Sequence, residues 1–166
     1  MMVRISEKEF KIKYELYAQM LLNISYGYTK NKFDSEDIIQ NVFIKYLKSK
    51  KEFNTLDDEK YWLIRVTINE CKNFVKSSYQ KNVILNDDVV TNLSVKSEED
   101  EIEMLFDYIK QLPEKYKKVI ILHYFNSLTI KEISDILGSS ISSIKKQLER
   151  GRKLLKNMME DVYEIR

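Results

Sequence analysis

Apolar side chains recur at helical spacing along most of the chain. Phe10, Tyr14, Leu16, Tyr17, Met20, Leu21 and Ile24 predict a first helix, and the pattern fades into the polar stretch Gly27–Phe33. Asp34 then reads as an N-cap, with Asp37 three residues on as an acidic partner for the exposed N–H groups. Ile38, Ile39, Val42, Phe43, Tyr46 and Leu47 make one apolar stripe behind it. A charged connection, Ser49–Asp58, leads to a third helix from near Glu59 to about Ser78. Between Asn86 and Glu103 the periodicity collapses into acidic and small polar residues. Such a segment buries too little apolar surface to offset its ordering entropy, and it reads as a flexible linker.

Beyond it the helical pattern returns. Met104, Leu105, Tyr108, Ile109 and Leu112 form a short segment, and Pro113 suits the first turn of a new helix carrying Tyr116, Val119, Ile120 and His123. Thr129-Ile130-Lys131-Glu132 is a capping box, Ile130, Ile133, Ile136 and Leu137 supply an apolar face, and Gly138 stands where a helix ends in the left-handed conformation. Ser139 or Ser140 can cap the helix that follows. A short helix, a tight Gly turn and a second helix make the DNA-binding helix-turn-helix arrangement. In that second helix Ile141, Ile144, Leu148, Gly151 and Leu155 share one sector. Ser142, Ser143, Lys146, Glu149, Arg150 and Lys153 lie opposite, with Gln147 at the flank. Hydroxyl, amide and basic groups suit phosphate oxygens and base edges. The expected fold is all-α, in two small helical domains, 1–85 and 104–166, joined by the linker 86–103.

Composition agrees with helices, because only 3 Gly and 1 Pro interrupt a chain that is 43% hydrophobic. The net charge of +2 hides 28 basic and 26 acidic residues, so charge bears on nucleic acid only through its segregation along the chain. With one cysteine, Cys71, and one histidine, His123, neither an internal disulfide nor a Cys/His zinc site can form. Cys71 falls on the apolar side of its helix and reads as a small core residue, and His123 as a packed or half-exposed one. No cofactor or metal is implied. The N-terminal ten residues lack an apolar signal core and no segment suits a membrane span, so a cytoplasmic protein is expected.

The residues now carry a resemblance. Leu112–Gly138, continued by Ser140–Leu155, resembles region 4 of sigma-70 family factors. Asp34–Phe43 resembles the family's region 2.2 helix, and Glu59–Asn69 its region 2.3. With nothing similar to region 1.1 or region 3, the resemblance is to the extracytoplasmic-function (ECF) group. It implies a non-enzymatic sigma factor that binds core RNA polymerase and directs promoter-specific initiation. The alternatives are a stand-alone helix-turn-helix regulator and a sigma-like module that binds core without initiating.

The resemblance also implies sites. Glu36, Asp37, Gln40 and Asn41 would meet the clamp of the polymerase β′ subunit, Asn41 replacing the usual Glu. Arg65, Asn69, Lys72, Asn73 and Lys76 share a polar helix face with Trp62 at its edge, suited to unstacked bases of the −10 element. The preceding loop, Ser49–Asp58, takes the place of one that accepts a flipped base. Thr67, Cys71 and Asn73 depart from the family's usual Ala, Ala and Asp, so base preference does not carry over. Ser142, Ser143, Lys146, Gln147, Arg150 and Lys153 would read the −35 element. Implied partners are the β′ clamp, the β flap, promoter DNA and, as a candidate, an anti-sigma protein.

Overall fold

A computed structural model describes residues 5–82 and 98–164. In chain order it contains α1 (Glu7–Thr29), α2 (Lys32–Lys48), α3 (Leu56–Asn82), α4 (Glu98–Gln111), α5 (Glu114–Ile120), a π-helical turn (Ile121–Phe125), α6 (Ile130–Leu137) and α7 (Ile141–Glu164). No strand occurs among the described residues. The all-α expectation holds, and several boundaries move for local reasons.

α1 starts in a capping box absent from the periodicity reading: Ser6 Oγ accepts from the Glu9 N–H, and the Glu9 carboxylate accepts from the Ser6 N–H. It also runs to Thr29, through the stretch expected to be irregular. Gly27 is tolerated inside it because the backbone there meets another element closely; a Cβ at Gly27 would lie 2.7 Å from Ile121 Cδ1. Lys30, in the left-handed conformation (φ 51°), turns the chain. The cap of α2 is Asn31, whose side chain accepts from the Asp34 N–H, so Asp34 sits within the first turn and is not the N-cap. α3 begins before Glu59, Thr55 Oγ1 accepting from the Asp58 N–H, and extends past Ser78. Residues 86–97 of the expected linker lie outside the described residues. The acidic residues 98–103 are the first turns of α4, where carboxylates complement the helix dipole.

α1, α2 and α3 pack as a three-helix unit around Leu21, Ile24, Ile38, Ile39, Val42, Leu63 and Ile64, all 3% exposed or less. Cys71 lies in this core as expected, and burial pushes its thiol pKa up to about 12. The second unit buries Ile109, Val119, Ile120, Leu122, Ile133, Ile136, Ile144 and Leu148. Ile141, expected on this apolar face, is instead 43% exposed at the start of α7. The two cores are continuous. Ile121 is fully buried against Gly27, and Tyr28 of α1 is buried with its hydroxyl donating to Glu114 at 2.6 Å.

One buried carboxylate ties the first unit together. Glu59, 5% exposed, accepts from Lys13 Nζ (2.7 Å), the Tyr17 hydroxyl (3.0 Å) and the Tyr46 hydroxyl (2.6 Å). Burial alone would raise its pKa, but these donors together outweigh burial and hold it below the usual carboxylate range. A depressed folded-state pKa means the stabilisation is complete above the unfolded-state value. It is lost as pH falls through the folded-state value. Glu59→Ala should lower the unfolding free energy by about 3 kcal/mol, since two buried hydroxyls and the half-buried Lys13 ammonium lose their acceptor. Denaturant titration at neutral pH checks this, and the difference between variant and parent should shrink as pH falls below about 4.

Candidate functional site

Three polar surfaces predicted from the sequence form on separate elements. On α2, the apolar stripe faces α1 and α3, which turns Glu36, Asp37, Gln40 and Asn41 outward; all four are exposed. Two apolar residues that the periodicity reading missed share their surface. Phe33 is 76% and Ile44 46% exposed. Both lie on the helix face of Asp37 and Gln40, one turn before and one turn after them. Large exposed side chains beside acceptors fit the anchors of a protein interface. The signal available in the sequence was that Phe33 and Ile44 stand off the Ile38/Ile39/Val42/Phe43 stripe.

On α3, Arg65, Asn69, Lys72, Asn73 and Lys76 are exposed along one side, opposite buried Leu63, Ile64, Thr67 and Cys71. Thr67 Oγ1 donates back to the Leu63 carbonyl, which satisfies a buried hydroxyl within its own helix. Trp62 is half-buried, packing against Phe53 and Tyr46 with ring centroids 5.7 and 6.2 Å apart. It therefore joins the core aromatics to the polar edge. The loop before α3 places Phe53, Asn54, Thr55 and Leu56 around a 360 Å³ pocket floored by Tyr46, Lys13 and Glu59. Arg65 reaches the second unit, Nη1 donating to the Ile136 carbonyl at 3.1 Å.

The helix-turn-helix forms as the sequence predicts. Thr129 and Glu132 make both arms of the capping box (3.1 and 2.8 Å), and Gly138 caps α6 with φ 67°. Ser140 caps α7, its Oγ accepting from the Ser143 N–H at 3.1 Å. Ile144, Leu148 and Gly151 face inward. Ser142, Lys146, Arg150 and Lys153 are exposed, Ser143 and Gln147 half-buried, and Gln147 Oε1 is turned into the protein. No pattern rule anticipated the π-helical turn before α6. There the His123 Nδ1–H donates to the Leu128 carbonyl (2.8 Å) and Asn126 Nδ2 to the Ile121 carbonyl (3.2 Å), which orients the turn leading into α6. Beside it, Leu105, Ile109, Ile120, Phe125, Leu155 and Met159 line an apolar groove of 420 Å³. Among the described residues no cluster of His, Cys, Asp and Glu is arranged to hold a metal ion, and no helix is long and apolar enough to cross a membrane.

Comparison with known proteins accounts for the layout. Residues 14–80 match the family model of Sigma-70 region 2, and residues 102–155 that of Sigma-70, region 4. RNA polymerase sigma factor SigZ of Bacillus subtilis is 33% identical over 135 residues, 78% of this chain and 75% of its own. ECF RNA polymerase sigma factor SigM of the same organism is 28% identical over 151 residues, 86% of this chain and 90% of its own. Among solved structures, the sigma factor RpoE in complex with the anti-sigma factor NepR, from Bartonella quintana, superposes with a TM-score of 0.69. It is 17% identical and covers 92% of this chain and 98% of its own, a likeness of fold. CnrH in complex with the cytosolic domain of CnrY gives a TM-score of 0.71 at 14% identity, over 94% of this chain and 90% of its own. Sequence relatives and fold agree in both halves and in their order: the chain belongs to the ECF group of the sigma-70 family, non-enzymatic factors that direct promoter-specific transcription initiation by RNA polymerase.

Proposed function

We propose that the work of this sigma factor is divided among three faces. The exposed face of α2, with Glu36, Asp37, Gln40 and Asn41, docks on the β′ clamp, and Phe33 and Ile44 anchor it. The α3 face from Trp62 to Lys76 holds the opened −10 strand, and the pocket at Phe53, Asn54 and Thr55 receives a base turned out of the stack. The α7 face, Ser142, Ser143, Lys146, Gln147, Arg150 and Lys153, reads the −35 element as duplex. The single observation that carries this division is the outward placement of the α2, α3 and α7 polar sets on elements whose other sides form the core.

The chemistry of each face favours its partner. Cations and amides along α3 beside a half-buried indole suit a single strand, where backbone charge and base stacking both contribute. The α7 set suits the major groove, where lysine and arginine contact guanine edges and phosphates. The apolar groove between α4, the π-helical turn and α7 suits an apolar element of a partner protein, and we assign it to the β flap. The likeness of fold to RpoE, solved in complex with the anti-sigma factor NepR, supports such a protein as a further partner. A cytoplasmic location follows from the polymerase.

In vitro transcription with core enzyme on a library of genomic fragments tests the whole reading. Promoter-specific products should appear only with both components, and their absence would refute it. On a template so found, Lys146→Ala and Arg150→Ala should each weaken initiation by about 5- to 100-fold, the equivalent of roughly 1–3 kcal/mol for a base-edge contact. Core binding should stay unchanged, measured by gel filtration of the holoenzyme. Conversely, the double variant Phe33→Ala, Ile44→Ala should weaken core binding by at least tenfold and leave the unfolding free energy within about 0.5 kcal/mol, since both side chains are exposed.

A further inference from the structure

The surface that α7 presents is not quite the one its helical period assigns to the −35 element. Ser143 and Gln147 of that set are half-buried, and Gln147 Oε1 is turned into the protein. On the opposite flank three residues outside the set are exposed: Ile141, Lys145 and Glu149. They stand four residues apart in turn, so they follow one another along a single line of the helix. That line adjoins Ser142 and Lys146, and the open side of α7 is shifted toward it.

We infer that this row sets base choice in the −35 duplex: Ile141 packs on the methyl group of a thymine, and the Glu149 carboxylate accepts from the amine of a cytosine. The inference rests on the assignment of α7 to that element given above. Ile141 is the first residue of α7, and the N-terminal residues of a recognition helix are the ones that reach base edges. The turn before it is held on both sides. Ser134 Oγ donates to the Ser139 carbonyl at 2.5 Å, and Ser140 Oγ accepts from the Ser143 N–H. Ile141 takes no part in the hydrophobic core. Its side chain gains by leaving water, and the apolar group that the major groove offers is the thymine methyl.

Glu149 calls for a partner of its own. A carboxylate on a basic face opposes the DNA phosphates, unless it meets a donor there. Lys145 and Lys153 stand at the right spacing to neutralise it within α7. Among the described residues it pairs with neither, and the ion pair within α7 is Lys156 with Glu160. The carboxylate is thus free to accept from a base. The cytosine amine is the donor that suits it, whereas the adenine amine sits beside the N7 acceptor and suits an amide, which donates as well as accepts. Lys145, between the two, faces phosphate oxygens. Ile141 and Glu149 are about 12 Å apart along the helix, at 1.5 Å per residue. With about 3.4 Å per base pair, the thymine and the cytosine stand within about four base pairs of each other.

The test uses holoenzyme assembled from core and the full chain, on a template from the fragment library randomised across its −35 element. Transcribed templates should be enriched in a thymine and a cytosine at that spacing. Ile141→Ala should lose the thymine preference alone, and Glu149→Ala the cytosine preference alone. Replacing the thymine by deoxyuridine removes only the methyl group, and should weaken initiation by the parent about three- to fourfold. Ile141→Ala should be indifferent to that change. Exchanging the cytosine pair should weaken the parent about fivefold or more and hardly affect Glu149→Ala. Gel filtration should show both variants bound to core, since both side chains are exposed. A parent indifferent to deoxyuridine, or a thymine preference that persists in Ile141→Ala, would overturn the methyl contact. A cytosine preference that persists in Glu149→Ala would overturn the amine contact. Selected sequences and initiation unmoved by Lys146→Ala and Arg150→Ala as well would overturn the assignment of α7, and the inference with it.

Discussion

The carboxylate of Glu59 is the constraint on which the first unit depends. It is buried and charged, a combination tolerated only where donors converge on it, and its donors come from two other helices. Lys13 and Tyr17 fix α1 against α3, and Tyr46 fixes α2. The angle among the three helices then decides which residues of α2 and α3 remain outside. The polar face of α2 and the Arg65–Lys76 face of α3 are exposed because the carboxylate and the adjoining aromatics hold the opposite sides inward. The same pocket carries Asn54 and Thr55 at its rim. A group that stabilises the fold therefore also shapes the floor beneath a proposed base-binding loop.

The second unit is oriented by different means. A π-helical turn, the His123–Leu128 contact and the Thr129 capping box set the direction of α6, and Gly138 sets that of α7. These are local devices, each confined to a few residues, and they keep Lys146 and Arg150 outward whatever the first unit does. Junction between the units is of another kind. It combines the close approach of Gly27 to Ile121 and the ring contact of Tyr26 with Phe106 with the polar pairs Tyr28–Glu114 and Lys30–Asp107.

Much of the fold was legible along the chain, and the reasons are specific. Helical periodicity located the helices, while Thr129-x-x-Glu132 and Gly138 placed the helix-turn-helix turn almost to the residue, because caps act within four residues of where they stand. Errors arose where distant groups intervened. Gly27 reads as an interruption until Ile121 is seen against it. Glu59 reads only as the approximate start of a helix until Lys13, Tyr17 and Tyr46 are seen around it. Phe33 and Ile44 lie off the apolar stripe, but spacing alone does not separate an exposed anchor from a minor core contact.

What the sequence by itself determined is therefore local or linear: an all-helical chain, the order of region 2 before region 4, the cap and turn chemistry, and the polar sets on three helices. Periodicity and capping depend on near neighbours, which the sequence displays directly. The tertiary structure alone decided that a carboxylate would serve as a buried tie and that two apolar residues would flank the acceptors of α2. It alone brought Arg65 to α6 and Ile121 to Gly27. Those outcomes depend on contacts between residues tens of positions apart, and such contacts are chosen by packing and desolvation, which act only once the helices meet.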